Sequence, residues 1–138
     1  MGDLIDADDR WAIAELLNRY AWAMADRDWD AWEACFSADA KVDYSSAGGT
    51  VGSPAEARAW LEPTLGGFDM AMSHTGNVVI DAVSADEAKV RSLYRMTMRI
   101  AGDPPTYLEA SGGYKDTVVR TPDGWRISSR YEDMRWTR

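Results

Sequence analysis

Apolar residues in the stretch 9–25 recur in steps of three and four, at Ile13, Leu16, Leu17, Tyr20 and Met24. This spacing predicts an amphipathic helix with one buried face. Asp8 or Asp9 is placed to cap its start, where negative charge is favoured. A second, short helix is expected over 28–36, with Asp28 as cap and Trp29, Trp32 and Phe36 on its apolar side. Residues 40–46 alternate as a short strand, and 47–52 form a glycine-rich turn. Ser53-Pro-Ala-Glu56 then opens a third helix: Ser caps, Pro occupies the first turn and Glu completes a capping box. Pro63 suggests that this helix ends near Leu61.

Beyond Gly66–Gly67 the period changes to two. Strands are expected at 73–83, 88–100, 107–120 and 125–136. Polar or Pro/Gly turns separate them at 84–87, 102–105 and Thr121-Pro-Asp-Gly124. Gly112–Gly113 suggests a bulge or bend. Helices first and antiparallel strands after make the predicted fold class α+β, in one domain spanning 1–138.

Composition narrows the partners. The 138 residues hold 15 Lys+Arg and 23 Asp+Glu, a net charge of −8. A polyphosphate needs a basic face, so nucleic acid is not an expected partner, nor is an anionic membrane surface. Residues 1–9 are acidic and no 18-residue apolar run occurs, so a cytoplasmic protein without a leader is expected. One cysteine, Cys35, and one histidine, His74, leave no Cys- or His-based metal cluster, and no cofactor or metal is expected. The glycine-rich segments do not follow the strand–loop–helix pattern of a phosphate loop. Seven Trp, six Tyr and seven Met against two Phe form an unusual surplus of amphipathic and polarizable side chains.

Several local strings carry a family resemblance: Ile13-Ala-Glu-Leu-Leu-Asn-Arg-Tyr20, Asp28-Trp-Asp-Ala-Trp32, Gly52-Ser-Pro-Ala-Glu56, Gly76-Asn-Val-Val-Ile80 and Pro122-Asp-Gly-Trp-Arg-Ile127. With the order of elements, they make the chain similar to the SnoaL-like group of the nuclear transport factor 2-like superfamily. The resemblance implies a cone-shaped curved antiparallel sheet wrapped around three N-terminal helices. It also implies cofactor-independent proton transfer on a small hydrophobic molecule, polycyclic and steroid-, terpenoid- or polyketide-like, leading to elimination, isomerisation or cyclisation. In the dehydratase and dehydrochlorinase branch a His is the base and an Asp at the end of the first helix orients it.

Transferred to this chain, the resemblance puts a phenol donor at Tyr20 and the last-strand Arg at Arg130. The acidic position falls on Ala25, with Asp26 next, and the histidine position on Ser73, with His74 next. Either local bulges bring Asp26 and His74 into the site as the dyad, or the dyad is lost and the chain is a noncatalytic ligand-binding or subunit-interaction member. The catalytic candidates are therefore His74, Asp26, Tyr20 and Arg130. The candidate substrate-binding residues are Met24, Tyr44, Met96, Met98 and Tyr114, because flexible thioethers and phenols suit a bulky apolar ligand.

Simple alternation from Trp125 and Ile127 puts Arg130 on the outer face unless the strand bulges. An epoxide hydrolase-like alternative would need Asp43, Arg95 and Asp116 around one water. A homo-dimer or homo-trimer is expected, with Arg91, Leu93, Arg95, Thr97 and Arg99 on an interface face.

Overall fold

A computed structural model describes residues 4–138; of the acidic opening 1–9, residues 1–3 lie outside them. Three helices, α1 (Ala7–Asp26), α2 (Trp29–Glu33) and α3 (Pro54–Gly66), accompany six strands. The strands are β1 (Phe36–Asp43), β2 (Val51–Gly52), β3 (Met70–Ser84), β4 (Glu87–Ile100), β5 (Thr106–Thr121) and β6 (Gly124–Thr137). They form one curved, unclosed sheet in the order β2-β1-β6-β5-β4-β3, antiparallel except where β1 runs parallel to β6. The fold class is α+β, as the element order predicts.

The helices start where capping chemistry allows. Asp6, rather than Asp8 or Asp9, caps α1, and Asp9 answers it to complete a capping box. Asp28 caps α2, and Ser53 with Glu56 forms the box that starts α3. The third helix does not stop at Leu61. It runs through Pro63 to Gly66, because burying Leu65 one turn after Leu61 outweighs the lost backbone bond. Thr64 helps by donating its hydroxyl to the Trp60 carbonyl at 2.6 Å. The first strand starts at Phe36, four residues earlier than alternation suggests, and pairs with the far side of the sheet through β6.

Two arginines tie helices to their surroundings. Arg120 grips Asp9 through its two terminal guanidinium nitrogens at 2.9 and 3.0 Å, and the Trp125 indole donates to the same carboxylate at 3.1 Å. These bonds hold the Asp9 carboxyl well below the usual carboxylate range. Arg27, which ends α1 in the left-handed conformation, donates to the carbonyls of Leu65 and Phe68 at the end of α3. The core packs the apolar face of α1 against the sheet, with Trp29, Trp32 and Trp125 buried and Trp60 partly so. Trp11 and Trp22 remain on the solvent side of α1.

Bulges decide which residues face inward. The strands β5 and β6 shift register between Thr117 and Val118, so that Thr117 faces Ser129 while Val118 faces Ile127. The extra residue, Ser128, restarts the alternation, and both Ile127 and Arg130 end up buried. The outward Arg130 that simple alternation gives is thus corrected by a bulge. A second shift lies between Ser111 and Gly112, with the extra residue on β6 rather than on the glycine strand. Gly112 passes so close to β6 that a Cβ there would sit 2.0 Å from the Asp133 carbonyl oxygen. Gly112→Ala is therefore expected to destabilise the protein by about 2–3 kcal/mol in urea unfolding. Gly76→Ala, whose added methyl meets nothing within 4 Å, should remain near or above the parent.

Candidate functional site

The inward face of the sheet buries an unusual set of polar groups. Asp116 and Arg130 are cross-strand partners on β5 and β6 and form a two-bond ion pair, Nε to Oδ1 at 2.9 Å and Nη2 to Oδ2 at 2.8 Å. Both side chains are fully buried. The guanidinium lies over the ring of Tyr20 from α1 (4.2 Å) and that of Tyr114 from β5 (3.8 Å). Burial works against its charge, but the facing Asp116 carboxylate prevails and holds the guanidinium well above its ordinary pKa. Its third nitrogen, Nη1, is buried without a hydrogen-bond partner.

Phenols surround this pair. The Tyr20 and Tyr44 hydroxyls hydrogen-bond to each other. Tyr94 stacks on Tyr114 with ring centroids 4.7 Å apart, and the Tyr94 hydroxyl has no hydrogen-bond partner of ordinary geometry. Burial raises the pKa of Tyr44, Tyr94 and Tyr114, which keeps all three phenols protonated and able to donate at neutral pH. Two residues after Arg130, Glu132 turns inward on the same face and is buried. Burial raises its carboxyl pKa, against the opposing influence of Tyr94 and Arg130. Among the described residues Glu132 makes no ion pair. Its backbone carbonyl is held by the Ser46 hydroxyl at 2.5 Å, which in turn accepts from the Met134 amide.

The structure brings Tyr20, Tyr44, Tyr114 and Arg130 together. Met24 is buried in the adjoining core, and Met96 and Met98 are partly buried against it. His74 and Asp26 are not part of this interior. No register shift interrupts β3 between Met70 and Gly76, so the alternation that buries Ser73 exposes His74. Asp26 is exposed at the last position of α1 and lines a surface groove with Asp28 and Trp125. His74 instead borders a cleft of about 300 Å³ between α1 and β3, together with Ala25, Ser73, Asn18 and Trp22. The Ser73 hydroxyl is buried without a partner.

The three groups of the epoxide hydrolase-like alternative do not converge. Asp43 binds Ser45, Arg95 pairs with Glu109 on the exposed face, and Asp116 is committed to Arg130. Among the described residues no three His, Cys, Asp or Glu side chains converge to hold a metal ion. Glu132 and Tyr94 are missing from the candidates drawn from the sequence. Arg130-x-Glu132 and Tyr114-x-Asp116 do carry a signal, since residues two apart in a strand share a face. It becomes readable only once Arg130 is known to point inward.

Asp116→Ala strands a buried guanidinium and should cost about 3–5 kcal/mol in unfolding free energy. Asp116→Leu with Arg130→Met should recover most of that loss, as both charges then leave together. Glu132 also gives a pH signature. Its folded pKa lies above the ordinary 4.5, so the native state binds the proton more tightly and loses stability as pH rises from that value through the folded pKa. Glu132→Gln should be more stable than the parent at neutral pH. The gap should close below about pH 4, as pH-dependent urea unfolding would show.

Comparison with known proteins places the chain in a family. A SnoaL-like domain model matches residues 6–131. The uncharacterized protein Rv2910c of Mycobacterium tuberculosis is 36% identical over 132 residues, covering 96% of this chain and 89% of its own length. A crystal structure of a candidate scytalone dehydratase from Novosphingobium aromaticivorans superposes with a TM-score of 0.83 at 26% identity, covering 96% of this chain and 91% of that one. Hexachlorocyclohexane dehydrochlorinase from Novosphingobium barchaimii shares the fold at a TM-score of 0.78 and 17% identity, over 94% and 88% of the two chains. Helices and curved sheet alike are matched nearly from end to end, and the chain belongs to the SnoaL-like family of the nuclear transport factor 2-like superfamily.

Proposed function

We propose that the protein is a cofactor-independent enzyme that moves a proton on a small hydrophobic polycyclic substrate, steroid-, terpenoid- or polyketide-like, with elimination, isomerisation or ring closure as the outcome. The observation that carries this reading is Glu132: a buried, inward carboxyl without an ion-pair partner, set beside the Tyr94 phenol and within reach of the charge of Arg130, its pKa raised by burial. A carboxyl shifted toward neutrality can both take and return a proton. Asp116 cannot fill this role, because its charge is committed to Arg130.

The neighbouring donors suit the charge that proton removal creates. Abstraction next to a carbonyl pushes negative charge onto oxygen. The free Nη1 of Arg130 and the neutral phenols are donors already fixed in a dry interior, where such interactions are strongest. Met24, Met96 and Met98 supply the apolar, adaptable wall. Ser73, buried on the inward face of β3, also borders the α1–β3 cleft. A dehydratase and a dehydrochlorinase each eliminate a small molecule, a reaction that begins or ends in proton transfer, and proteins so named share this fold.

In this assignment Glu132, rather than His74 with Asp26, is the acid–base group. Tyr20, Tyr44, Tyr94 and Arg130 polarise oxygen, and Asp116 positions Arg130. A second reading is favoured by Ala25 and Ser73, which stand where the family resemblance puts its dyad: the same interior would then bind a hydrophobic ligand without turning it over.

Solvent-deuterium exchange into a panel of steroid and polyketide ketones, read by mass spectrometry, separates these readings. The parent should catalyse exchange, and Glu132→Gln should slow it by about 10²–10⁴-fold. His74→Ala and Asp26→Asn should leave the rate unchanged. Loss of exchange in His74→Ala with full activity in Glu132→Gln would overturn the assignment. Saturable binding without exchange would favour the binding protein.

A further inference from the structure

The first strand leaves the sheet before its neighbour does. β1 pairs with β6 in parallel up to Asp43 opposite Tyr131, and there the chain turns away. Tyr44 follows, its ring buried in the interior and its hydroxyl on that of Tyr20. β6 runs on to Thr137, so its edge beyond Tyr131 has lost its strand partner. In a parallel ladder one residue uses its amide and its carbonyl on two groups of the neighbouring strand that lie two residues apart. The rung after Asp43 would therefore take the Glu132 carbonyl and the Met134 amide. In place of a backbone residue, the Ser46 side chain takes both. Its hydroxyl donates to the Glu132 carbonyl at 2.5 Å and accepts from the Met134 amide at 2.9 Å. One hydroxyl, both donor and acceptor, replaces a rung of the ladder.

The turn that carries Ser46 is built to hold it there. The Asp43 carboxylate accepts from the Ser45 amide at 3.0 Å and from the Ser45 hydroxyl at 2.6 Å. The amides of Ala47 and Gly49 donate to the Tyr44 carbonyl at 3.0 and 2.9 Å, and Gly48 takes the left-handed conformation that closes the turn. On the other edge of β6, the Asp133 carbonyl lies against Gly112. The stretch 132–134 is thus pinned on both edges, and the side chain it sends inward is Glu132.

We propose that Ser46 is a positioning residue: by standing in for the missing rung it fixes the direction in which the Glu132 carboxyl points. This rests on the reading of Glu132 as the acid–base group. Ser46 touches no reacting atom, and its effect passes through the β6 backbone. Its turn begins at Tyr44, so one short segment sets both a phenol of the interior and the carboxyl.

Two measurements on Ser46→Ala and Ser46→Thr test the assignment. The first is solvent-deuterium exchange into the ketone panel. Ser46→Ala should lower kcat by about 10- to 100-fold, the usual cost of a misplaced catalytic group, with KM little changed. Ser46→Thr keeps the hydroxyl and should restore most of the rate. The second is a double-mutant cycle of stability at neutral pH, read by urea unfolding. The advantage of Glu132→Gln over the parent should shrink by about half or more in the Ser46→Ala background, because a released carboxyl can turn toward water. A Ser46→Ala loss that is the same with and without Glu132→Gln would reduce Ser46 to a structural contact and overturn the proposal. Ser46→Ala exchanging at the parent rate beside a slow Glu132→Gln would overturn it too, as would a Ser46→Thr as slow as Ser46→Ala. If the parent shows no exchange, or Glu132→Gln exchanges as fast as the parent, the acid–base reading fails instead, and the cycle alone decides whether Ser46 positions Glu132.

Discussion

The buried ion pair between Arg130 and Asp116 is the constraint around which the interior is arranged. Two charges taken out of water are tolerable only when each finds its partner with good geometry. Here the partners face each other across β5 and β6, and the two-bond geometry fixes the guanidinium plane. Tyr20 and Tyr114, themselves packed edge to face, then close on it, adding cation–π attraction that is strongest where water is excluded. Through Tyr20 the pair reaches α1, and through the Tyr20–Tyr44 hydrogen bond it reaches the turn after β1. A single charge placement thus sets the relative positions of helix, sheet and loop. It leaves one guanidinium nitrogen with nothing to bind.

The bulge at Ser128 makes this possible. Without an extra residue, strand alternation would bury Ile127 and expose Arg130, and Asp116 would be left alone in the core. With it, the narrow part of the sheet keeps apolar Ile127 and Val118 in contact while the next rows turn polar. The same restart brings Glu132 inward. Its carboxyl is near enough to Arg130 to feel its charge, yet the two form no ion pair. A carboxyl in that position is neither neutralised nor solvated, and its proton affinity rises. The unequal sharing of one arginine between two inward acids separates their chemistry.

How much of this was legible in the sequence follows the same physics. Capping boxes and apolar spacing are local signals, and Ser53–Glu56, Asp28 and the α1 stripe read directly. The four long strands, the α+β class and the family resemblance also read directly, because each rests on many residues at once. Pro63 misleads because the burial of Leu65 is a tertiary contribution that local propensity does not contain. Arg130, Ser73 and His74 depend on a single residue of register. A strand inverts its faces with every step, so the inward group at each site is set by whether a bulge intervenes. β6 has one before Arg130, and β3 has none between Met70 and Gly76. Glu132 escaped notice because it inherits its orientation from that bulge.

The surplus of Trp, Tyr and Met divides along the same lines. Trp29, Trp32 and Trp125 need only apolar contact, and they fill the seam between helices and sheet. Four of the six tyrosines, Tyr20, Tyr44, Tyr94 and Tyr114, are buried around one arginine, although a phenylalanine core would pack without unsatisfied hydroxyls. Burying a hydroxyl costs free energy unless it is bonded, and the Tyr94 hydroxyl has only Glu132 beside it, without a hydrogen bond of ordinary geometry. There the chain keeps polar groups that stability alone would remove. On the inside, donors in surplus surround the buried Glu132 carboxyl.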